Sequence, residues 1–189
     1  MPVTTDIAAS YWRPGRVFSQ KLAAGVDDRL AFAYLALGSV LGFVSQLPRL
    51  RRQASESNPE FEAAIRAEAG DVRQIEAVTV PADMVEAKFE ALMASALMGW
   101  IFILPLILYG LAGVSALIAR VFGGRLSGLQ ARFALFWAFL VATPVLLLQG
   151  LVAGFVGPGP ALDIVGLIWL VCLVVFWGAN MRAATRSTA

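Results

Sequence analysis

Residues 133–156 form a run of 24 amino acids without one charged side chain. At about 1.5 Å of rise per residue, roughly 20 apolar residues cross the hydrocarbon core of a bilayer. A run this long and this uniform has to be apolar-embedded on every side, and a membrane does that directly. Charged residues make up 15% of the 189-residue chain, against about 25% in ordinary soluble domains. The mean hydropathy is +0.73. That charge deficit comes from long uncharged runs, so the chain reads as an integral membrane protein of one compact bundle.

Two more runs, at residues 30–47 and 92–119, are likewise uncharged, and a third at 162–181 carries only Asp163 at its entrance. The expected fold class is therefore all-α: a polytopic transmembrane helical bundle of about four spans with an N-terminal interfacial amphipathic helix. The expected organisation is a cytoplasmic amphipathic segment at 1–29, the bundle at 30–181 with an acidic loop at 48–91, and a polar tail at 182–189. Residues 1–28 hold no continuous apolar core, so no signal peptide is expected and the first span serves as its own insertion signal.

The N-terminal segment places Ile7, Tyr11, Val17, Phe18 and Leu22 on one side of broken helical turns and Arg13, Arg16, Gln20 and Lys21 on the other. Pro14 suits a first helical turn and Gly25 a C-terminal cap. Two placements fit, and both can hold at once: a helix in the headgroup layer with Arg13, Arg16 and Lys21 toward anionic lipid, and a cap packed on the end of the bundle.

Asp27 and Asp28 stand where they can satisfy the free amides of the first span. Gly38-x-x-x-Gly42 in that span and Gly150-x-x-x-Gly154 in the third place small residues one turn apart, which lets a neighbouring backbone come close. Gly110 and Gly113 offer the same in the second span. Pro48 is expected to end the first run. In the loop, Asn58-Pro59-Glu60 reads as a helix start, Phe61 and Ile65 share a face before a stop at Gly70, residues 71–80 mix both periodicities, and Pro81 opens a helix leading into the second span. Pro105 is expected to kink the second span and Pro144 the third. Thr143 is expected to cap the carbonyl that Pro144 leaves free. Gly157-Pro158-Gly159-Pro160 forces a turn before the fourth span. Trp12, Trp100, Trp137, Trp169 and Trp177 include candidate interfacial anchors.

With four spans both termini share one side. That side carries nine bases and three acids, and the other carries six bases and ten acids. Cytoplasmic loops are rich in Lys and Arg, which puts both termini in the cytoplasm of an inner-membrane protein; Arg49, Arg51 and Arg52, next to a span end, run against it.

Catalytic and metal constellations are hard to assemble from this composition. There is no histidine and a single cysteine, Cys172. The glycines of 120–132 lack the Lys and Ser/Thr spacing of a phosphate loop and the strand that precedes a dinucleotide loop. No catalytic residue, cofactor, metal or nucleic-acid partner is expected; the expected partners are membrane lipid and another membrane protein or a second copy of the chain. Inside the spans the polar candidates are Tyr109, Thr143 and Gln149. Gln149 either lines a polar pocket or headgroup site, or hydrogen-bonds a neighbouring helix, a contact worth about 0.6–2 kcal/mol.

One sequence of features is shared with a known family. Pro14-x-Arg16-x-Phe18 in the amphipathic segment, Tyr109-Gly110, the turn Phe122-Gly123-Gly124-Arg125-x-Ser127, then Gln130-Ala131 and an aromatic-rich span with Pro144 at its middle make the chain resemble the bacterial branch of the YIP family, the Ypt-interacting multispanning membrane proteins, over residues 10–180. Members usually show five spans, where this chain shows four, and they lack a polar insert like 48–91. The resemblance implies a non-enzymatic membrane organiser and brings no catalytic residues. The expected role is thus a scaffold, assembly or accessory subunit in the membrane, and the alternative is a small lipid or solute translocator with a pathway near Gln149, Thr143 and Tyr109.

Overall fold

The computed structural model of the chain describes residues 3–56, 58, 60, 63–64, 67, 84–121 and 126–187. Its helices are α1 (Val3–Trp12), α2 (Pro14–Ala23), α3 (Asp28–Ser55), α4 (Met84–Leu97), a π-helical turn (Met98–Ile103), α5 (Leu104–Val121), α6 (Gly128–Phe155) and α7 (Pro160–Ser187). Among the described residues there is no strand. Four helical rods are long and apolar enough to cross a membrane: Asp28–Ser55, Val85–Val121, Gly128–Phe155 and Pro160–Arg186. The protein is an all-α helical bundle with the expected four-rod architecture.

Local chemistry sets the helix ends. Asp27 caps α3, its Oδ1 accepting from the Leu30 amide at 2.8 Å. Ser127 and Gln130 form a reciprocal capping box at α6: the Ser127 Oγ accepts from the Gln130 amide, and the Gln130 Oε1 accepts from the Ser127 amide. After α6, the Val156 and Gly157 amides both turn back to the Val152 carbonyl. Gly157 takes φ 94°, open to glycine and strained for other residues. Pro160 then opens α7, its fixed φ suiting a first helical position. The Gly-Pro-Gly-Pro turn is therefore as expected.

Two boundaries differ from expectation. The first span, α3, does not stop at Pro48 but runs through it to Ser55. A proline removes one hydrogen bond from a helix without forbidding the next turn, and here its ring lies against Gly154 of α6. The extra turns are tied down by Arg52 to Glu56 at 3.2 Å and Arg51 to Glu86 of α4 at 3.2 Å, and Lys88 donates to the Glu56 carbonyl. Likewise the expected polar tail at 182–189 continues α7 as far as Ser187, since no Gly or Pro interrupts 182–187. The loop features at 58–60, 61–65, 70, 71–80 and 81, and the glycines of 122–125, fall wholly or partly outside the described residues.

Pro105 is preceded by the π-helical turn, in which the Leu104 amide reaches the Gly99 carbonyl. Pro105 leaves the Ile101 carbonyl without its usual i+4 donor, and prolines and π-helical turns are both places where helices bend.

The core is built on α6, which packs most extensively against α3 and α7, with α5 on a further side. Every residue from 133 to 143 is buried. Phe136 meets Tyr109 of α5 edge-on, with ring centroids 4.9 Å apart. At one end α1 and α2 close the bundle: Phe18 is fully buried and stacks on Phe133 at 5.1 Å, and Val17 is buried beside it. The N-terminal segment packs as a cap on the bundle, one of its two compatible placements, and is broken into two helices at Arg13.

Candidate functional sites at the two ends of the bundle

At the end closed by α1 and α2, Lys21 is turned inward. Its Nζ pairs with the Asp6 carboxylate at 2.6 Å and reaches the Tyr34 hydroxyl at 3.3 Å. It also sits 4.3 Å from the centre of the Trp137 ring and 5.3 Å from that of Tyr34. An ammonium held by a carboxylate and two aromatic faces is satisfied within the chain. Lys21 thus fastens α2 to α1 and to the core, whereas Arg13 and Arg16, expected to meet headgroups with it, are exposed. Trp137 is buried, so it belongs to this cluster and not to an interfacial belt, while Trp12 is 88% exposed beside Arg13.

α1 is anchored a second time. The Tyr11 hydroxyl donates to the Val141 carbonyl at 2.9 Å, and its ring stands edge-on to Phe176 at 5.1 Å. Burial pushes the Tyr11 phenol above its ordinary value. The acceptor lies one turn from the proline of α6. Pro144 has no amide to offer the Leu140 carbonyl four residues back, and Thr143 Oγ1 donates to that carbonyl at 2.7 Å instead. Thr143 therefore has the capping role expected of it.

The small residues divide into two groups. A Cβ on Gly38 would come within 2.8 Å of the Phe139 ring, and one on Gly42 would overlap the Trp100 ring. A Cβ on Gly150 would overlap the Ser45 carbonyl, and one on Gly154 would overlap Pro48. These four glycines are thus the contact surface between α3, α6 and the π-helical turn, and they are filled from within the chain. They are not free to pack against a second protein. Gly110 and Gly113 have nothing within 4 Å and stay open on α5.

Gln149 opens on a cavity at the other end. The cavity measures about 420 Å³ and lies between α3, the π-helical turn, α6 and α7, with Gln46, Arg49, Trp100, Gln149, Gly166 and Trp169 in its wall. The Gln149 amide nitrogen lies 2.8 Å from where a Cβ of Gly166 would stand, so the missing side chain of Gly166 makes room for it. Among the described residues neither Gln149 nor Arg49 has a hydrogen-bond or ion-pair partner. The Trp169 Nε1 is buried without an acceptor. No acid lines the cavity. Its wall therefore offers more donors than acceptors, and a ligand rich in acceptor oxygens complements it. Tyr109 and Thr143 do not line it; Tyr109 packs on Phe136 and Thr143 is spent on Leu140. Arg49 belongs to the site although sequence reasoning weighed it only as a topology signal.

Among the described residues no group of three or more His, Cys, Asp or Glu side chains is placed to hold a metal ion. Comparison of the chain with protein-family models, with curated proteins and with solved structures finds no match.

Proposed function

We propose that the chain is a non-enzymatic multi-pass protein of the inner membrane, with both termini cytoplasmic, that binds a phospholipid laterally and serves as an accessory subunit or scaffold there. The observation that carries this reading is the Gln149 cavity. Its unmet donors sit in a bundle whose helices are otherwise apolar, and its Arg49 stands where the apolar run of α3 gives way to polar sequence. A phosphodiester beside Arg49 with ester carbonyls toward Gln149 meets both groups at the depth where each occurs in a lipid. Trp100 and Trp169 in the wall suit that same interfacial depth. The motif order that resembles the YIP family agrees with a non-enzymatic role.

Native mass analysis of the purified chain in phospholipid nanodiscs tests this. The expected result is retained phospholipid in the wild type and its loss in Arg49→Gln and in Gly166→Leu, which fills the space beside Gln149. Equal retention in all three sinks the reading. A scaffold function through direct helix contact is favoured by the open Gly110 and Gly113; Gly113→Leu then lowers the mass of the complex without affecting lipid retention.

A further inference from the structure

At the opposite end of α7 from the Gln149 cavity, a second groove of about 620 Å³ runs between α2 and α7. Gly15, Ser19, Ala179 and Ala183 form its small-residue floor, and Arg16, Arg182 and Arg186 stand around it. All three arginines are exposed, and among the described residues none has an ion-pair partner. No carboxylate lines the groove. We propose that this groove binds a phosphate monoester in its dianionic form.

Charge is the first reason. Arg182 and Arg186 are four residues apart on one helix face, a like-charge spacing that is unfavourable by itself. The negative end of α7 offsets some of this, but it does not explain Arg16. Arg16 lies in the first turn of α2, where the helix field opposes a cation and no acid accompanies it. Three permanent charges converge without a counter-charge, so an anion relieves all three at once.

Shape is the second reason. Each guanidinium presents a planar fork of donors. A phosphate monoester carries three equivalent acceptor oxygens and up to two negative charges, so each arginine can take one oxygen. A phosphodiester has one charge and two free oxygens and leaves one arginine unmatched. The small side chains of the floor keep the approach open. The charged groups on the elements packed around the groove are already engaged or peripheral: Asp6 of α1 is held by Lys21 of α2, and Arg132 of α6 pairs with Asp28 at 3.1 Å, while Arg13 is exposed ahead of α2. No lining residue has a side chain that titrates near neutrality, and guanidinium does not deprotonate. Any pH dependence near pH 6 then belongs to the ligand.

The test uses the full chain in phosphatidylcholine nanodiscs doped with phosphatidic acid or, at equal mole fraction, phosphatidylglycerol. Glycerol 3-phosphate serves as the soluble competitor. Phosphatidic acid is expected to bind more tightly than phosphatidylglycerol at pH 7.5, and to weaken as pH falls through about 6, where the dianionic monoester takes up a proton and becomes a monoanion. The double variant Arg182→Gln, Arg186→Gln should lose affinity by about tenfold or more, since two charge-assisted contacts go. Arg16→Gln should lose less, and Arg120→Gln, an exposed arginine outside the groove, nothing. Competition by glycerol 3-phosphate would assign the site to a soluble phosphate, and its failure to compete would assign it to the lipid. Equal affinity for the two lipids at pH 7.5, or a double variant indistinguishable from wild type, overturns the proposal. Loss of phosphatidic acid binding in Arg49→Gln, with the double variant unaffected, would place the lipid in the other cavity and overturn it as well.

Discussion

Helices α6 and α7 have nearly the same mean hydropathy, 2.1 and 2.3 over their most apolar windows, yet 61% of that window is buried within the protein in α6 and 6% in α7. In water such a difference would be intolerable for α7. In a bilayer it is neutral, because lipid tails are as apolar as leucine and no hydrophobic force draws one span onto another. What separates the two helices is shape. α6 alternates large rings (Phe133, Phe136, Trp137, Phe139) with alanines (Ala131, Ala134, Ala138, Ala142) and ends in Gly150 and Gly154, so every side has a knob or a notch for a neighbour. α7 turns Ile164, Leu167, Ile168, Val171, Val174 and Val175 outward, a surface of similar-sized branched side chains that suits acyl chains. Packing is therefore what places a span at the centre, and hydropathy does not report it.

The sharpest way to break this comparison is to put the same bulk on each helix. Gly150→Leu drives a side chain into the Ser45 carbonyl, where the obstacle is backbone and cannot swing aside. The expected loss exceeds the about 1–3 kcal/mol of ordinary overpacking and separates α3 from α6. Gly178→Leu on α7 meets nothing within 4 Å and should leave the denaturation midpoint within experimental error. Thermal unfolding in detergent measures both. Equal sensitivity of the two helices would mean that α7 is covered in the folded protein by something outside this chain.

Removing bulk comes next. Phe136→Ala empties a fully buried site between α6 and Tyr109. In a soluble core this costs about 3–5 kcal/mol, from lost transfer energy plus a cavity. Between spans the transfer part falls away, and the cavity and the lost ring contact remain, so the midpoint shift should stay below that range but be plainly measurable. Leu167→Ala, at a position 62% exposed, should change stability by less than about 0.5 kcal/mol.

What the sequence shows of all this follows the range of each interaction. Local chemistry was readable: Asp27 as a cap, Pro14 opening α2, Thr143 serving the carbonyl before Pro144, and the turn at Gly157. The capping box of Ser127 and Gln130 is equally visible at its S-x-x-Q spacing. The glycine pairs were readable as close contacts, but not their partners. That Gly42 receives Trp100 and Gly150 the Ser45 backbone depends on the register of helices far apart in sequence. The same limit hides the groove in which Arg16 meets Arg182 and Arg186, and the inward turn of Lys21, which looks like a headgroup contact until Asp6 and Trp137 are placed beside it.

That inward turn gives the collar of α1 and α2 a polar attachment beside the Phe18 stack, where the attachment of α6 to α3 is steric. Lys21→Met removes an ion pair whose side chains are only 15% and 16% exposed, and leaves Asp6 without its partner. Exposed pairs contribute about 0–1 kcal/mol and breaking a fully buried one costs about 3–5; this pair belongs between them. Faster hydrogen exchange confined to α1 and α2, with α6 unchanged, is the expected signature. Acceleration throughout the bundle would show that the collar and the core unfold as one unit.

Tyr11→Phe is the mildest cut at the same attachment, and it has a pH signature that the steric contacts of α6 lack. The variant keeps the ring against Phe176 and removes only the hydroxyl donated to Val141, a bond contributing about 0.5–1.5 kcal/mol. The donor is the neutral phenol, and burial raises its pKa above the ordinary 10.0. A raised folded-state pKa means that the bond contributes fully below the unfolded value and is lost as pH rises through the folded one. Wild-type α1 should therefore exchange more slowly than the Phe variant at neutral pH, and the two should converge above pH 10. A constant difference across that range would show that the ring of Tyr11, and not its hydroxyl, holds the collar on the bundle.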